Sequence, residues 1–433
     1  ITVAPTFSPQ PGLTLINAPL VWAQGDSGQG VVVANVDGGT DWRHPDLIHN
    51  TWNNLGEDAD GDGRTIELVG SSWVFDPGDV NGIDDDGNGK VDDFVGWNFS
   101  NNSNDPSTAS ISHGTSTAGI VAGDGTNGTE TGVAPRAKLI NLNINSAGES
   151  NWWAAYQYAF ENGADVTTSS YSLKWYNNPQ PNYPMFRQIA DMELAVGTLH
   201  TNSTSNDGNS TGIPFNISAP GCVPGPWIHP DQTLVGGLSS VIGSANVDAG
   251  TDVITSSSPW GPFAWEDYQA NHPSYPYVMP ASYQDYPYET IPGSMGLIKP
   301  DLAAPGNGTI STSPGGGYSS FSGTSGATPH LAGVAALLLS VNPNLEPEDL
   351  SRIMQTTAVE KGDPGKDNRY GAGRVDAYAA YLESAGVPAP PVDFVAYSDY
   401  TSPTSMQLNW QDPATLTNGD TLHPGSFHIL IRR

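Results

Sequence analysis

We predict an α/β fold, a mainly parallel sheet between layers of helices, from three observations. Five of the six residues from Val31 to Val36 are apolar, which is typical of a strand buried on both faces of a parallel sheet. Residues 137–144 (AKLINLNI) and 163–172 (GADVTTSSYS) indicate further strands. Segments with helical character lie between the strand segments, and this alternation favours parallel strands joined by helices.

Four segments predict helices. Residues 112–123 (SHGTSTAGIVAG) begin a helix of small residues, and residues 150–160 (SNWWAAYQYAF) place aromatic side chains at helical spacing. Residues 327–341 (ATPHLAGVAALLLSV) are apolar enough for a buried helix. Residues 346–358 (EPEDLSRIMQTTA) form an amphipathic pattern with acidic residues in the first turn, where the helix dipole favours them.

The sequence predicts one large domain over residues 1–385 with two insertions. The first, about 54–97, is acidic, and the second, about 263–290, holds eight aromatic residues and four prolines between positions 263 and 288. We interpret the second as an ordered surface loop, held by aromatic packing or forming a platform beside a cleft. A Pro-rich linker at 386–393 precedes a short C-terminal β segment, 394–433. That segment resembles the opening of a fibronectin type III module, about half of which would fit.

The charge balance excludes several partners. The chain has 15 Lys and Arg residues against 45 Asp and Glu residues, a formal net charge of −30. Because phosphate binding needs a basic surface, we expect neither nucleic acid nor an anionic membrane as a partner. The acidity favours an extracellular setting, a calcium-loaded protein, or high solubility alone.

The remaining composition favours a secreted protein. A single cysteine, Cys222, excludes an intrachain disulfide framework and a thiolate metal cluster. The chain has no run of about 18 apolar residues, so we expect no membrane insertion. It begins at Ile1 without a charged and apolar leader, as expected for a mature form whose export signal has been removed.

Three polar residues occur where an α/β sheet gathers functional groups. Asp37 closes the first predicted strand, His113 lies at the start of a predicted helix, and Ser325 lies in FSGTSGATPH (321–330), directly before another. In open parallel sheets, such groups meet at the carboxyl ends of strands and at helix N-termini. An Asp, a His and a Ser in this chain order match a subtilisin-type catalytic triad.

With these motifs, residues 15–385 resemble a subtilase, a subtilisin-like serine protease. GVAPRAKL (132–139), IKPDLAAPG (298–306) and RYGAGRVDAYAA (369–380) add to the resemblance. It implies a seven-stranded parallel sheet between helices and hydrolysis of protein or peptide substrates, and we expect a monomer. In the implied mechanism Ser325 attacks the scissile carbonyl and His113 is the general base and then acid. Asp37 orients the imidazole and stabilises its cation.

The resemblance also implies an oxyanion-hole asparagine and a set of substrate contacts. The family usually has Ala-Ala-Gly-Asn at the end of a strand, and the matching stretch here, GTLHTNSTSNDG (197–208), aligns Asn206 with that asparagine. Asn202 in the same stretch is a rival. The hydroxyls of residues 203–205 predict a polar first specificity pocket. The implied substrate-binding residues are Ser170, Tyr171, Ser172, the edge residues Ser146 and Gly148, and Ser203, Thr204 and Ser205.

Two acidic loops predict calcium sites. DADGDGRTIE (58–67) and DDDGNGKVDD (84–93) repeat at an offset of 26 residues, with acids at alternate positions followed by Gly, as in the first half of an EF-hand loop. Both lack the acid at position twelve, so they resemble EF-hand loops but are not complete ones. We expect them to hold Ca²⁺ at two or more sites; the alternative is that they are solvated acidic loops without an ion. The candidate ligands are Asp58, Asp60, Asp62, Arg64 and Glu67 in the first loop, and Asp84, Asp86, Asn88, Lys90 and Asp93 in the second.

A further calcium position and two other functions remain open. Asp46 matches a calcium ligand of some subtilases, but its partner loop, 124–131, diverges from theirs. The chain could be a calcium-binding adhesion or scaffold protein whose protease domain has lost activity. An acyltransferase or ligase on the same scaffold would need a Cys nucleophile, and Cys222 lies in no such motif. The complete set of catalytic residues favours a secreted, calcium-stabilised serine endopeptidase.

Overall fold

The computed structural model describes residues 9–107, 111–145, 148–225, 241–265, 272–281, 296–385, 392–397, 407–412, 414 and 415. The helices in these residues are α1 Pro11–Leu15, α2 Ala18–Trp22, α3 Ser112–Ala122, α4 Glu149–Glu161, α5 Tyr183–Ala195, α6 Thr324–Val341, α7 Pro347–Thr356 and α8 Ala377–Ala385. The strands are β1 Val32–Asp37, β2 Ile66–Val69, β3 Ser72–Phe75, β4 Gly96–Asn98, β5 Lys138–Asn143, β6 Val166–Ser169, β7 Leu199–Ser203, β8 Val241–Asp248, β9 Leu302–Asn307, β10 Thr309–Ser313, β11 Gly317–Phe321, β12 Val392–Tyr397 and β13 Gln407–Gln411.

A seven-stranded sheet in the order β4-β5-β1-β6-β7-β8-β9 forms the centre of the described fold. All six neighbouring pairs in this sheet are parallel. This confirms the predicted α/β fold with a parallel sheet between helices. The predicted strands at 31–36, 137–144 and 163–172 correspond to β1, β5 and β6.

Both faces of the sheet are buried, as the apolar run in β1 predicts. Val33 belongs to one hydrophobic core, with residues of α3, α6, α7 and α8. Ala34 and Val36 belong to a second core, with residues of α4 and α5. Because successive side chains of a strand point to opposite faces, these two cores lie on opposite sides of the sheet. The architecture therefore has three layers.

Helix α6 is the most apolar element that carries a predicted site residue. It packs against β6, β7, β8 and β9 and against α3. By length and mean composition it would be able to cross a membrane, although it also contains Thr, Ser, Pro and His residues and is not a continuous apolar run. However, 89% of this stretch is buried inside the protein, as in a core helix.

The described parts of the aromatic insertion pack into the second core. Phe263 and Trp265 are fully buried, and their rings lie 5.8 and 5.9 Å from the ring of Tyr183 on α5. Tyr275 also lies in this core. These contacts favour the interpretation that aromatic packing holds the segment. Residues 266–271 and 282–295 lie outside the described residues.

Two short ribbons lie outside the central sheet. Strands β2 and β3 pair antiparallel within the acidic insertion. Strands β12 and β13 pair antiparallel in the C-terminal segment, with an irregularity between Val392 and Val395. The predicted linker, through residue 391, and most of 394–433 lie outside the described residues, so the fibronectin-like interpretation remains a prediction.

Candidate active site

Three neighbouring strands end at the same edge of the sheet and position most of the predicted site. Strand β1 ends at Asp37, β6 ends directly before Ser170, and β7 ends three residues before Asn206. Because β1, β6 and β7 are adjacent and parallel, their carboxyl ends meet at one edge. The N-termini of α3 and α6, which carry His113 and Ser325, reach this same edge through the contacts described below.

Asp37 and His113 form a hydrogen-bonded pair. Asp37 Oδ1 lies 2.7 Å from His113 Nδ1 and also accepts the backbone N–H of Gly38 at 2.6 Å. The Asp37 side chain is fully buried, while one third of the His113 side chain is exposed. The imidazole is therefore held by a carboxylate on one side and is open to the outside on the other.

A close approach between α3 and the end of β1 places His113 beside Asp37. A Cβ on Gly114 would lie 2.2 Å from the backbone oxygen of Gly39, so only glycine allows this approach. Asn35 on β1 donates to the Gly114 carbonyl at 3.0 Å and accepts from the Thr117 hydroxyl at 3.0 Å. These buried bonds fix the start of α3 against β1, and the small residues predicted in this helix make the contact possible.

Ser325 lies in the first turn of α6 and contacts Ser170. Pro329, inside the helix, has no N–H to donate to the carbonyl of Ser325 four residues earlier. The Ser170 hydroxyl donates to that carbonyl at 2.9 Å instead. In return, the Ser325 hydroxyl donates to the Ser170 carbonyl at 3.4 Å. The proline thus frees an acceptor that ties the turn containing Ser325 to the end of β6.

The Ser325 hydroxyl is bonded to Ser170 and not to His113 in this structure. The two residues nevertheless share their surroundings. The His113 ring lies 5.3 Å from the ring of Tyr171, which follows Ser170, and 5.1 Å from the ring of Phe321, four residues before Ser325. Catalytic hydrogen bonds are often long or misaligned without substrate, and a rotation about the Ser325 Cα–Cβ bond redirects its hydroxyl.

Asn206 lies beside the N-terminus of α6, whereas its rival Asn202 does not. The Asn206 Oδ1 accepts the backbone N–H of Thr324 at 2.9 Å, and its amide lies within 3.0 Å of the place a Cβ on Gly323 would take. Asn206 is exposed. Asn202 is fully buried and donates to the carbonyls of Ser169 and Tyr171. The geometry therefore favours Asn206 as the residue whose amide nitrogen faces a bound substrate.

The turn before Asn206 takes a backbone conformation that favours glycine. Ser205 has a φ of +89°. Its hydroxyl donates to the Asn216 carbonyl at 3.0 Å and accepts the Asp207 N–H at 3.2 Å, which holds the turn. The Thr204 hydroxyl donates to the Ser244 carbonyl at 2.7 Å. These two hydroxyls are engaged with the protein itself, so they do not support the predicted polar pocket.

The other predicted substrate contacts have different surroundings. Tyr171 donates its hydroxyl to Asn145 at 3.3 Å, and Ser172 next to it is half-buried. Gly148 is exposed and caps the N-terminus of α4. Ser203 ends β7 and is buried. Ser146 lies outside the described residues.

The second acidic loop forms a cluster that fits a cation. Carboxylate oxygens of Glu57, Asp86 and Asp93 lie within 4.8 Å of one another. Glu57 and Asp93 are fully buried. Burial, together with the neighbouring carboxylates, raises the pKa of Glu57 to about 7, and burial raises the pKa of Asp93 to about 6. Buried, crowded carboxylates with oxygen donors only are the chemistry that Ca²⁺ prefers.

Sequence reasoning missed Glu57, which lies one residue before the first loop and 27 before Asp84. Glu57 accepts the N–H groups of Asp85 and Asp86 at 3.0 and 3.2 Å and that of Asp92 at 3.0 Å. The sequence pattern does not identify this role, because Glu57 is far along the chain from the loop that it contacts. Of the other predicted ligands in this loop, Asp84 accepts the N–H groups of Gly87 and Gly89 and thereby shapes the loop. The Asn88 amide donates to Asp86 and to Asp93, at 3.0 Å in both cases.

The first acidic loop holds a second cluster. Carboxylate oxygens of Asp58, Asp60 and Asp62 lie within 4.8 Å of one another. The predicted Glu67 is not among them, and its carboxylate lies 3.6 Å from the Arg64 guanidinium. The side chains of Arg64 and of Lys90 are cations, and the Lys90 ammonium lies over the rings of Trp97 and Phe99. These two residues could therefore offer a cation only their backbone carbonyls.

Protein donors surround the carboxylate of Asp46. The Tyr318 hydroxyl donates to Asp46 Oδ2 at 2.6 Å, and the Asn127 N–H donates to Asp46 Oδ1 at 2.5 Å. Both oxygens are thus engaged without a metal ion. This arrangement agrees with the divergent sequence of residues 124–131.

Residues 28–373 match the model of the subtilase family of peptidases, which covers more than half of the chain and every predicted catalytic residue. The chain belongs to the subtilase family. These proteins are subtilisin-like serine proteases.

Three relatives illustrate the similarity of this subtilase to known proteins. Subtilisin-like protease 1 of Plasmodium vivax is 28% identical over 343 residues, 75% of this chain and 43% of the relative. A probable subtilase-type serine protease of Deinococcus radiodurans is 26% identical over 391 residues, 86% of this chain and 43% of the relative. An intracellular serine protease of Paenibacillus polymyxa is 25% identical over 331 residues, 76% and 72% of the two chains. The subtilase spans less than half the length of the first two.

The His113–Asp37 pair predicts that the activity of this subtilase falls off on the acidic side at a higher pH than an ordinary histidine would give. Burial disfavours the imidazolium, but the charge of Asp37 and its hydrogen bond outweigh that effect, so the pKa of His113 lies above its ordinary value of 6.5. A general base must be neutral to accept a proton, so kcat/KM is expected to fall as the pH drops through this raised pKa. A kcat/KM profile checks the pH at which this fall occurs.

A control isolates the cause of the shift. In a Ser325→Ala background, the pKa of His113 can be followed by proton NMR with Asp37 intact and with Asp37→Asn. Removal of the carboxylate leaves burial as the main influence, so the pKa should move down. An unchanged pKa would contradict the assigned pairing.

Proposed function

We propose that this subtilase is a secreted, bacterial-type serine endopeptidase that hydrolyses peptide bonds of proteins through an acyl-enzyme on Ser325. The observation that carries the proposal is the hydrogen bond between buried Asp37 and partly exposed His113, at the edge of the sheet where the N-terminus of α6 also lies. A catalytic triad needs a carboxylate that fixes the tautomer of its imidazole. A histidine that only caps a helix, or an aspartate that only forms a turn, would not need this bond.

In the proposed first step, Ser325 Oγ attacks the scissile carbonyl carbon and His113 Nε2 takes the hydroxyl proton. The Nδ1–H donates to Asp37, which stabilises the imidazolium that forms. His113 then gives the proton to the leaving amine, and the carbon–nitrogen bond breaks to leave an ester on Ser325. Water, activated by the same imidazole, attacks this ester and releases the carboxylic acid product.

The oxyanion of each tetrahedral intermediate needs hydrogen-bond donors. The Ser325 N–H lies in the first turn of α6, where the helical ladder leaves N–H groups free. The Asn206 amide is oriented by its oxygen, which accepts from Thr324, so its nitrogen is the end left for substrate. These two donors support an oxyanion hole between β7 and α6.

Calcium is proposed to stabilise the acidic insertion. The residues that would hold it are Glu57, Asp86 and Asp93 at the second loop and Asp58, Asp60 and Asp62 at the first. Bound calcium supplies positive charge to buried carboxylates that otherwise repel one another. The net charge of −30 agrees with a protein that carries such ions outside the cell.

Chelation provides the test of this calcium proposal. Removal of calcium with EDTA is expected to lower the melting temperature by several degrees, because an ion that binds only the folded state stabilises it by mass action. Thermal unfolding with calcium, after chelation and after calcium is restored, measures this effect. A melting temperature that does not respond to exhaustive chelation would contradict the proposal.

A calcium-binding scaffold without activity is the other function that the acidic loops would allow. Cleavage-site profiling on a peptide mixture separates the two. The wild-type protein should cut with a reproducible preference, and Ser325→Ala should not cut at all. Folded, calcium-loaded wild-type protein that leaves the mixture intact would favour the scaffold.

A further inference from the structure

Asp79 is a buried carboxylate beside the first acidic loop. Its side chain is fully buried. Its Oδ1 accepts the backbone N–H groups of Ala59 at 2.9 Å and Asp60 at 3.3 Å. Its Oδ2 is also buried, and it has no hydrogen-bond partner among the described residues. A buried carboxylate oxygen without a partner is costly, so it points to a cation that it binds.

Four other carboxylates lie in the same part of the insertion. Oxygens of Asp58, Asp60 and Asp62 lie within 4.8 Å of one another, and neither Asp79 nor Glu67 belongs to this group as the side chains stand. A Cβ on Gly78 would lie 2.2 Å from Asp60 Oδ2 and 3.2 Å from Asp76 Oδ1, so both carboxylates lie close to this one backbone position.

One cationic side chain within the described part of the chain pairs with this group. Arg64 contacts Asp62 at 2.7 Å and Asp76 at 3.3 Å. A single positive charge cannot balance five carboxylates, two of which, Asp76 and Asp79, are buried. A divalent cation with oxygen ligands would balance more of this charge and would satisfy Asp79.

In the second loop, Glu57 contacts the backbone in the way that Asp79 does in the first. The two groups of carboxylates differ in one respect, since Asp93 belongs to the second group but its counterpart Glu67, which pairs with Arg64, does not belong to the first. Glu57 accepts the N–H groups of Asp85 and Asp86, as Asp79 accepts those of Ala59 and Asp60. These are the second and third positions of the two loops, which are 26 residues apart. Glu57 belongs to a group of carboxylates able to hold a metal ion. By position, Asp79 is therefore the first loop's counterpart of Glu57.

We propose that Asp79 is a ligand of a calcium ion held by Asp58, Asp60 and Asp62, and that Glu67 is not. This inference rests on the calcium binding proposed for the insertion, and it changes the ligand set that the sequence predicts. Glu67 lies on β2 beside the Arg64 guanidinium, while Asp79 returns to the loop after β3. The ion would thus join the loop to the segment that follows the β2–β3 hairpin.

Asp79→Asn tests the proposal, since it keeps an oxygen for the Ala59 and Asp60 N–H groups and removes the charge. Calcium titration calorimetry of the full chain should show one ion fewer per molecule than in the wild type. The matched control, Glu67→Gln, should bind as many ions as the wild type. Wild-type stoichiometry in Asp79→Asn would overturn the proposal, as would the loss of an ion in Glu67→Gln alone.

Thermal unfolding distinguishes a ligand from a structural role. In chelator, Asp79→Asn should melt at or above the wild-type temperature, because it no longer buries an unpaired charge. In calcium, its gain in melting temperature should be smaller than that of the wild type. Equal destabilisation in chelator and in calcium would overturn the ligand role.

Wild-type crystals soaked in calcium or a lanthanide keep the proposal testable if the variant does not fold. The ion is expected about 2.3–2.6 Å from Asp79 Oδ2. An ion at the first loop that does not touch Asp79 would overturn the inference but leave calcium stabilisation intact. A wild-type protein that binds no calcium at all would overturn both.

Discussion

Ser325→Ala is expected to lower kcat about 10⁶-fold, because the members of a Ser–His–Asp triad act as a unit and the loss of the nucleophile removes covalent catalysis. His113→Ala should cost about as much, since a serine without a general base is a weak nucleophile. Hydrolysis of a fluorogenic peptide at saturating substrate measures both effects. The residual rate should come from substrate binding and the oxyanion hole.

A matched control separates chemistry from folding. Ser319 is exposed on β11, the strand that leads to Ser325, and Ser319→Ala should retain wild-type kcat. All three variants should keep the wild-type melting temperature within a few degrees. A Ser325→Ala protein that folds and keeps a tenth or more of the activity, about 1.4 kcal/mol or less of barrier, would rule out Ser325 as the nucleophile.

Asn206→Ala is expected to lower kcat about 10²–10³-fold with little change in KM, because an oxyanion-hole donor acts on the charge that develops in the transition state. Asn206 is exposed, so its truncation should leave the core intact. Steady-state kinetics on the same peptide provide the kcat and KM values.

Asn209 supplies a matched asparagine control in the same loop region. Asn209 is exposed and donates to the Ser256 hydroxyl at 3.1 Å, away from the N-terminus of α6. Asn209→Ala should leave kcat unchanged. Equal losses in Asn206→Ala and Asn209→Ala would point to a general disturbance of the loop, and unchanged kcat in Asn206→Ala would remove it from the oxyanion hole.

The parallel sheet could be predicted from the sequence because its strands are buried on both faces. The apolar run of β1 and the small residues of α3 carry this information locally. The positions of Asp37 and His113 could also be predicted, because Asp37 lies at the end of a predicted strand and His113 lies at the start of a predicted helix. The predicted order of the elements therefore brings these two residues to one edge of the sheet.

The contact between Ser170 and Ser325 could not be predicted in the same way. It depends on Pro329, which frees the Ser325 carbonyl inside α6, and on the end of β6, 155 residues away in the chain. A proline in a predicted helix signals a missing hydrogen bond, but not the residue that replaces it. The sequence likewise predicts that the hydroxyls of Thr204 and Ser205 face a pocket, whereas in the structure they donate to the backbone carbonyls of Ser244 and Asn216. The sequence pattern does not reveal these partners, because they are not adjacent in the chain.

The acidic loops show a similar limit. The alternation of acids and glycines predicts the turns within each loop, in which Asp58 and Asp84 accept N–H groups at the same relative positions. It does not identify Glu57 or Asp79, since each contacts a loop about 20 to 29 residues away. A buried carboxylate outside a motif is visible only when the chain is folded.

Mass-spectrometric mapping of a fluorophosphonate adduct tests the central claim, that Ser325 is a nucleophile activated by His113, most directly. The calcium-loaded wild-type protein should carry one adduct, on the peptide that contains Ser325. His113→Ala should label far more slowly, and Ser325→Ala should not label at that peptide. A proteolytically active protein whose adduct lies on another residue, or that never reacts, would contradict the account.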